Sequence, residues 1–318
     1  MANGSASMRS WYGSRIVDSL VSEVDFTFPF SRQEFHAPSL YQDFMSLTKI
    51  NRTGTAITSL IGGIGYATQF SGDASLLMLQ GAVSLVFAYV PISILNDILD
   101  ADADRLNESE RPIARGALSP IMAMGMASIV LFLGMLVTLG FGTMFAAFFL
   151  AEFALGLIYC FWAKRMGSFS YALLGFTHIG FPFIMGALLG GGFSENTLLV
   201  GAYVYLTMFL CISIKDFKDI EGDKKTGVRT FPLIFGKERA YRITATAFLF
   251  APLTFFIPWI AMHLSAGFVA AYSVVSAWKL KNAKLMLKTP SAERSRKILD
   301  QFRFAVMGEM IAWGVATI

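Results

Sequence analysis

The sequence predicts an all-α, polytopic membrane protein, with nine transmembrane helices that form a bundle around a central cavity. Composition is the first reason: 55% of the 318 residues are hydrophobic, 15% are charged and the mean hydropathy is +0.56. Soluble domains carry about a quarter charged residues. In addition, apolar runs close to the length that crosses ~30 Å of hydrocarbon recur along the chain, and basic residues occupy alternate connections between them.

The nine spans follow one another in order, each at an apolar run. They cover residues 53–70, 75–95, 118–138, 141–162, 169–190, 197–214, 243–259, 262–278 and 304–318. We expect the ninth to be short, because the sequence ends within it.

The positions of the basic residues test this order. All 26 Lys and Arg residues lie before the first span or in the connections after spans two, four, six and eight. Because positive charge accumulates on the cytoplasmic side of a membrane protein, the pattern orients the chain. Residues 1–48 are expected to form a cytoplasmic tail and an interfacial lead-in, and residues 49–318 the transmembrane domain. Topology accounts for the basic pI, so the sequence predicts contact with membrane lipid and no nucleic-acid partner, and it indicates no obligatory protein partner.

Two acidic clusters stand at the ends of apolar runs, and the second lies 119 residues after the first. Their members are Asp97, Asp100 and Asp104, and Asp216, Asp219 and Asp223. Both read i, i+3, i+7, which on an α-helix places three carboxylates within about 60° of one face. The offset covers four spans, so we predict two four-helix units plus one extra first helix. Each unit then keeps the same topology, which places both clusters on the cytoplasmic side and favours a parallel repeat.

Clustered carboxylates repel one another unless they hold cations, and oxygen-rich acidic sites suit Mg²⁺. The alternative is that these are solvated acids at helix ends. Acids at a helix C-terminus oppose the helix dipole, however, so the placement is unfavourable without a compensating ligand. Two clusters of identical spacing therefore favour a divalent-metal site.

Basic residues beside both clusters indicate the anion that such metals would hold. They are Arg105, Arg111, Arg115, Lys164, Arg165, Lys224, Lys225 and Arg229. Mg²⁺ commonly binds a few carboxylates together with substrate phosphates, and the chain has no Gly-rich nucleotide loop. A diphosphate whose remainder belongs in hydrocarbon is an isoprenoid diphosphate.

The motifs also carry a family resemblance. Residues 96–105 (Asn-Asp-Ile-Leu-Asp-Ala-Asp-Ala-Asp-Arg) and 111–116 (Arg-Pro-Ile-Ala-Arg-Gly) resemble the first signature of the UbiA superfamily of intramembrane prenyltransferases. Residues 215–227 (Lys-Asp-Phe-Lys-Asp-Ile-Glu-Gly-Asp-Lys-Lys-Thr-Gly) are similar to its second signature, and Tyr159 with Lys164 and Arg165 resembles its basic loop after the fourth span. The resemblance covers about residues 45–318. One departure is the run 49–55 at the first span, which lacks the family's acidic pattern.

The resemblance implies roles for these residues. Two Mg²⁺ ions are expected, one on Asn96, Asp97, Asp100 and Asp104, the other on Asp219 and Asp223 with help from Asp216. The diphosphate is expected to bind Asn96, Arg105, Arg111, Lys164, Arg165 and Lys225. The candidate catalytic residues are Asp97, Asp100, Asp219, Asp223 and His178.

The implied reaction is ionisation of a prenyl diphosphate and transfer of the prenyl group to a lipophilic acceptor, an aromatic ring or an alcohol. A terpene cyclase of the same fold is the alternative, in which the prenyl cation is captured by its own double bond. A transporter is a remote third possibility. Three ionisable residues lie within the spans: Glu152, His178 and Glu309. Glu152 and His178, on adjacent spans, could pair with each other, or one of them could bind the acceptor or remove its proton. The alternative is a structural hydrogen bond between helices.

Overall fold

The computed structural model describes residues 40–106, 109–218, 220–226, 229–261, 263–288 and 291–313. Regular secondary structure in these ranges is helical throughout. The α-helices are α1 (Leu40–Thr48), α2 (Ile50–Thr68), α3 (Ala74–Leu99), α4 (Ala101–Leu106), α5 (Pro120–Phe141), α6 (Thr143–Phe161), α7 (Ser168–Gly175), α8 (Phe181–Leu189), α9 (Glu195–Cys211), α10 (Ile220–Thr226), α11 (Phe231–Phe235), α12 (Lys237–Phe250), α13 (Phe256–Ala261), α14 (Ala266–Lys288) and α15 (Ala292–Trp313). Short 3₁₀ segments cover Ala163–Arg165, Ile212–Lys218 and Ala251–Phe255, and a π-helical segment covers Phe176–Gly180.

Each of the nine predicted spans overlaps helical structure within these ranges. Six helical stretches are confirmed as long and apolar enough to cross a membrane: 74–99, 120–141, 143–161, 170–189, 195–217 and 237–260. Spans one, eight and nine stay predictions. The helix that carries the ninth span begins before the predicted apolar run, because α15 starts at Ala292 with several charged residues in its first turns.

Local sequence determines where several helices begin. The Ser119 hydroxyl accepts the Met122 N–H at 3.3 Å in front of α5, whose first residue is Pro120. Ser194 and Thr197 form a capping box at the start of α9. Such caps satisfy backbone N–H groups that the first helical turn leaves without partners.

The order of helices agrees with the predicted duplication. Helices that begin at Ala74, Pro120, Thr143 and Ser168 are followed about 120 residues later by helices that begin at Glu195, Lys237, Ala266 and Ala292. The short acidic helices α4 and α10, which follow the first helix of each unit, pack against each other. The two units therefore meet at their acidic motifs.

The lead-in is partly described. Helix α1 packs against α3, and Asp43 forms an ion pair with Arg115 in the connection before α5. Residues 1–39 lie outside the described ranges.

One lysine departs from the predicted charge distribution. Lys279 was counted in the connection after span eight, but it lies inside α14 with 0% of its surface exposed. Its ammonium group is 3.2 Å from Glu309 Oε2 on α15, and the Glu309 Oε1 atom accepts a hydrogen bond from Tyr203 on α9. Three helices of the second unit are thus joined by a buried ion pair.

Helix α2 packs unusually closely against α8 and α15, through glycines. A Cβ atom on Gly63 would lie 2.1 Å from the Phe183 carbonyl oxygen, and one on Gly186 would lie 2.2 Å from the Leu60 oxygen. A Cβ on Gly62 would lie 2.3 Å from the Met310 oxygen. Small residues allow membrane helices to approach this closely, and here they hold α2 at the centre of the bundle.

Gly63→Ala is therefore expected to lower the stability of the bundle by about 1–3 kcal/mol, since the opposing atoms are backbone and the helices must separate. The measurement is thermal unfolding in detergent. Gly125→Ala is the matched control, because a Cβ at Gly125 in α5 meets nothing within 4 Å. Equal melting temperatures for the two variants would contradict the close-packing interpretation.

Candidate active site

The two acidic motifs lie together at one end of the bundle. A cleft of about 90 Å³ is lined by members of both, namely Asp100, Asp104, Asp216 and Asp223. The basic side chains of Arg111, Lys164, Lys215 and Arg229 line the same cleft. The structure thus brings together one aspartate pair from each copy and surrounds them with positive charge.

The first motif departs slightly from the predicted single helical face. Helix α3 ends at Leu99 and α4 begins at Ala101, so Asp100 lies between them. The helical hydrogen bonds continue across the break: the Asp100 N–H donates to the Asn96 carbonyl at 3.0 Å, and the Asp104 N–H donates to the Asp100 carbonyl at 2.8 Å. In the second motif, Asp216 lies on the 3₁₀ segment Ile212–Lys218 and Asp223 on α10.

Each carboxylate of the first motif has a cationic partner. Asp97 pairs with Lys49 and, at 3.1 Å, with Arg111. Arg111 also pairs with Asp104, and Lys164 pairs with Asp100. The Asn96 amide donates to Asp100 Oδ2 at 2.8 Å. Carboxylates and cations therefore alternate around this end of the bundle.

These pairs shift the ionisation of their members. Although burial raises the pKa of Asp100, the charge of Lys164, with smaller effects from Lys49 and Arg111, holds it below its ordinary value. Burial outweighs the Arg111 charge at Asp104, so the pKa of Asp104 is raised. The pKa values of Lys164 and Arg111 are raised by the neighbouring carboxylates in spite of burial. The cations accordingly keep their charge at neutral pH.

Asp216, in the second motif, is fixed by two partners, one on its own segment and one on α7. Lys215 Nζ lies 2.7 Å from Asp216 Oδ1, and the Tyr171 hydroxyl donates to Asp216 Oδ2. The same Lys215 ammonium lies 5.5 Å from the centre of the Tyr171 ring, a cation–π distance. Asp216 is thus oriented by α7 as well as by its own segment.

A larger cavity of about 200 Å³ extends from the motifs into the bundle. Its polar end is lined by Asn96, Asp100, Arg111, Lys164, Lys215 and Asp216. Its apolar wall includes Ile92, Leu174, Met208, Ile212, Leu299, Phe302 and Val306. Tyr89 and Tyr159 also line it. Such a cavity suits a ligand with a charged end and a hydrocarbon remainder.

A second polar group lies deeper in the cavity, formed by Glu152, Thr177 and His178. His178 belongs to the π-helical segment 176–180, and its Nδ1 atom lies 3.0 Å from Thr177 Oγ1. The Tyr89 and His178 rings are nearly perpendicular, with 5.2 Å between their centres. π-helical bulges are frequent at functional sites. Glu309, in contrast, is held in the buried pair with Lys279, which makes its structural interpretation the better one.

Several predicted residues lie elsewhere. Arg105 is half exposed, pairs with Asp102 at 2.9 Å and donates to the Ala114 carbonyl, and it lines neither cavity. Lys225 is exposed and likewise lines neither one. Asp219 and the side chain of Arg165 lie outside what the structure describes.

Three basic residues of the main cavity were not predicted as site residues: Lys49, Lys215 and Arg303. Arg303 counted only in the topological charge pattern, whereas Lys49 and Lys215 also belonged to the runs 49–55 and 215–227 that were compared with the family signatures. For Lys215 a signal existed, because it stands 119 residues after Asn96 and occupies the corresponding place in the second motif. Its mismatch with Asn96 marks a difference between the two copies, a cation where the other has an amide.

Among the described residues, no three Asp, Glu, His or Cys side chains are grouped closely enough to hold a metal ion by themselves. Mg²⁺ usually takes one or two carboxylates and completes its coordination with water and substrate phosphates. One observation fits such an ion: Asp97 Oδ2 is buried and has no hydrogen-bond partner among the described atoms.

Comparison with known proteins gives the family. The sequence profile of the UbiA prenyltransferase family matches residues 55–306. The chain is 31% identical over 254 residues to the digeranylgeranylglyceryl phosphate synthase of Pyrococcus abyssi, a match that covers 76% of this chain and 87% of that protein.

Solved structures agree in fold. A UbiA homologue from Archaeoglobus fulgidus, bound to DMAPP and Mg²⁺, aligns with a TM-score of 0.67 and 16% identity over 86% of this chain and 98% of that one. The same homologue bound to GPP and Mg²⁺ aligns with a TM-score of 0.65 and 17% identity over the same shares of the two chains. This multi-pass membrane protein belongs to the UbiA prenyltransferase family.

Proposed function

We propose that the protein ionises an isoprenoid diphosphate in a Mg²⁺-dependent reaction and transfers the prenyl group to a lipophilic acceptor within the membrane. The observation that carries the proposal is the junction of the two acidic motifs, with alternating cations, at the polar end of an apolar cavity. The structural relatives that bind GPP or DMAPP with Mg²⁺ support it.

Two Mg²⁺ ions would be held by the two motifs. Asn96, Asp97, Asp100 and Asp104 would hold one, and Asp216, Asp219 and Asp223 the other. The buried, unpartnered Oδ2 atom of Asp97 and the shared cleft support this assignment. When bound, the ions supply charge neutralisation for the departing diphosphate.

The chain's own residues would bind and orient the donor. Lys164, Arg111 and Lys215 line the polar end and can exchange their present carboxylate partners for phosphate oxygens. Such fixed cations stabilise the negative charge that develops on the leaving group as the allylic C–O bond breaks. The apolar wall would hold the hydrocarbon chain, exclude water and protect the cation until a nucleophile captures it.

The acceptor would enter the cavity from the lipid bilayer, since a lipophilic molecule dissolves there. The relative from Pyrococcus abyssi is a digeranylgeranylglyceryl phosphate synthase, which favours an alcohol over an aromatic ring. The alternation of basic connections places both motifs on the cytoplasmic side in this proposal.

Cyclisation of the prenyl cation is the second candidate. Glu152 and His178 favour it, since both lie beside the part of the cavity where a remote double bond of the donor would lie. Polar groups there could remove a proton from a cyclised cation.

Incubation of the purified protein with geranyl diphosphate and Mg²⁺ tests the proposal. With a lipophilic alcohol present, we expect a prenyl ether and inorganic diphosphate. Without it, we expect little diphosphate release and no cyclic hydrocarbon. A cyclic hydrocarbon as the main product in both incubations would contradict prenyl transfer and support cyclisation instead. Mass spectrometry of the extracted lipids distinguishes the products.

A further inference from the structure

Glu152 carries an unsatisfied polar group inside the membrane-spanning part of the protein. The residue lies midway along α6, and 4% of its surface is exposed. Its Oε1 atom is buried and has no hydrogen-bond partner among the described residues, yet the side chain lines the main cavity. A carboxyl group in this position is costly unless something compensates it.

A second buried glutamate, Glu309 on α15, shows how this chain stabilises such a group for structural purposes. Glu309 is compensated on both oxygens, by Lys279 at 3.2 Å and by the Tyr203 hydroxyl. It lines neither cavity. Among the described residues, Glu152 forms no ion pair; it lines the cavity instead, which indicates that its partner comes from a ligand.

Tyr89 and Thr177, two polar residues that line the cavity with Glu152, already donate to backbone carbonyls. The Tyr89 hydroxyl already donates to the Thr177 carbonyl at 2.6 Å. Thr177 Oγ1 donates to the Leu174 carbonyl at 3.3 Å and also contacts His178 Nδ1. The Glu152 carboxyl is thus left to hydrogen-bond with a ligand group that, like a hydroxyl, can both donate and accept.

The Glu152 carboxyl lies far from the place where the diphosphate would bind. Glu152 is nine residues from Phe161, the end of α6, which corresponds to about 14 Å along the helix axis. Lys164 and the acidic motifs lie beyond that end. The diphosphate therefore cannot reach Glu152 while it occupies the motifs, and a prenyl chain has no hydrogen-bond donor.

We propose that Glu152 is a binding residue for a hydroxyl group of the acceptor other than the group that captures the prenyl cation, so that the acceptor extends into the deep half of the cavity. The proposal rests on the proposed prenyl transfer and adds the chemical class of acceptor: a lipophilic molecule with a hydroxyl group buried on binding. The π-helical segment 176–180 would help to shape the subsite by turning His178 toward Tyr89.

Binding of a matched pair of probes tests the subsite. The probes are 4-heptylphenol and its methyl ether, which differ in the hydrogen-bond donor, and binding is measured with geranyl thiolodiphosphate and Mg²⁺ present. We expect the wild-type protein to bind the phenol at least tenfold more tightly than the ether, because a site built for a hydroxyl group rejects an analogue that lacks it. Glu152→Leu is expected to remove this preference, and Glu152→Gln, which retains an acceptor oxygen, to keep most of it.

Asp100→Asn is the matched control at the other end of the cavity. It is expected to weaken binding of the thiolodiphosphate while the preference for the phenol remains. Equal binding of phenol and ether by the wild-type protein would overturn the inference without any variant, as would an unchanged preference in Glu152→Leu. If the wild-type protein fails to bind the thiolodiphosphate in the presence of Mg²⁺, the proposed function fails instead, so the two failures are distinguishable.

Discussion

Replacing Asp100 with alanine is expected to lower the rate of prenyl transfer by about 100- to 1000-fold, the usual cost of removing one electrostatic group from a reaction centre. Asp100 lines both cavities and is the carboxylate that faces Lys164. Its loss removes a predicted metal ligand and leaves Lys164 without that partner. Asp223→Ala, in the second motif, is expected to have a similar effect, because the two motifs share one cleft.

Asp102→Ala is the matched control for both variants. Asp102 lies in the same acidic run, but its side chain is 79% exposed and pairs with Arg105 on the surface. We expect wild-type rates for this variant. The measurement is product formation from geranyl diphosphate at saturating Mg²⁺, with thermal unfolding recorded to show that each variant is folded. Near-full activity of Asp100→Ala or of Asp223→Ala would contradict a site built from both motifs.

The second large effect concerns stability. Glu309→Ala is expected to lower the free energy of unfolding by about 3–5 kcal/mol, the usual cost of leaving a buried charge without its partner. Lys279 is fully buried beside Glu309 and has no access to water in the folded state. Unfolding in mixed detergent micelles, followed by helicity, measures the change.

The double variant Lys279→Met with Glu309→Leu separates the charge from the packing. Since it removes both charges and keeps similar volumes, we expect it to recover most of the lost stability. A double variant as unstable as Glu309→Ala would show that the shape of these side chains, and not their charges, stabilises the three helices. Neither residue lines the cavity, so activity of the folded double variant should remain.

Much of the fold could be predicted from the sequence, because the apolar composition of membrane helices distinguishes them from the connections. Long apolar runs located α3, α5 and α6 with boundaries within a few residues. Helices with charged residues were harder to predict, because a search for long apolar runs passes over charged segments. The apolar run predicted span nine at residues 304–318, and the helix that carries it, α15, begins earlier, at Ala292.

Lys279 shows why a count of charges cannot locate every residue. A lysine near the end of a span reads as part of a connection, and only the position of Glu309 on the next helix explains its burial. Pairing of this kind depends on how α14 packs against α15, which neither periodicity nor hydropathy encodes.

The candidate site, too, could be predicted only in part from the sequence. Identical spacing predicted that the two motifs would act together, and α4 and α10 do meet. The spacing did not predict which cations would face them. Arg105 adjoins the first motif in sequence but bonds to Asp102 and Ala114, whereas Lys49 comes from a separate helix junction to pair with Asp97. Such contacts follow from tertiary packing, as does the π-helical segment that carries His178.

The central claim is that the two motifs form one Mg²⁺-dependent site for a prenyl diphosphate. Calorimetric titration with geranyl thiolodiphosphate tests it most directly, because the analogue binds without reacting. We predict tight binding in Mg²⁺, loss of binding after chelation of the metal, and loss in both Asp100→Ala and Asp223→Ala while Asp102→Ala binds normally. Binding that is independent of Mg²⁺, or that survives removal of either motif's carboxylate, would contradict the account.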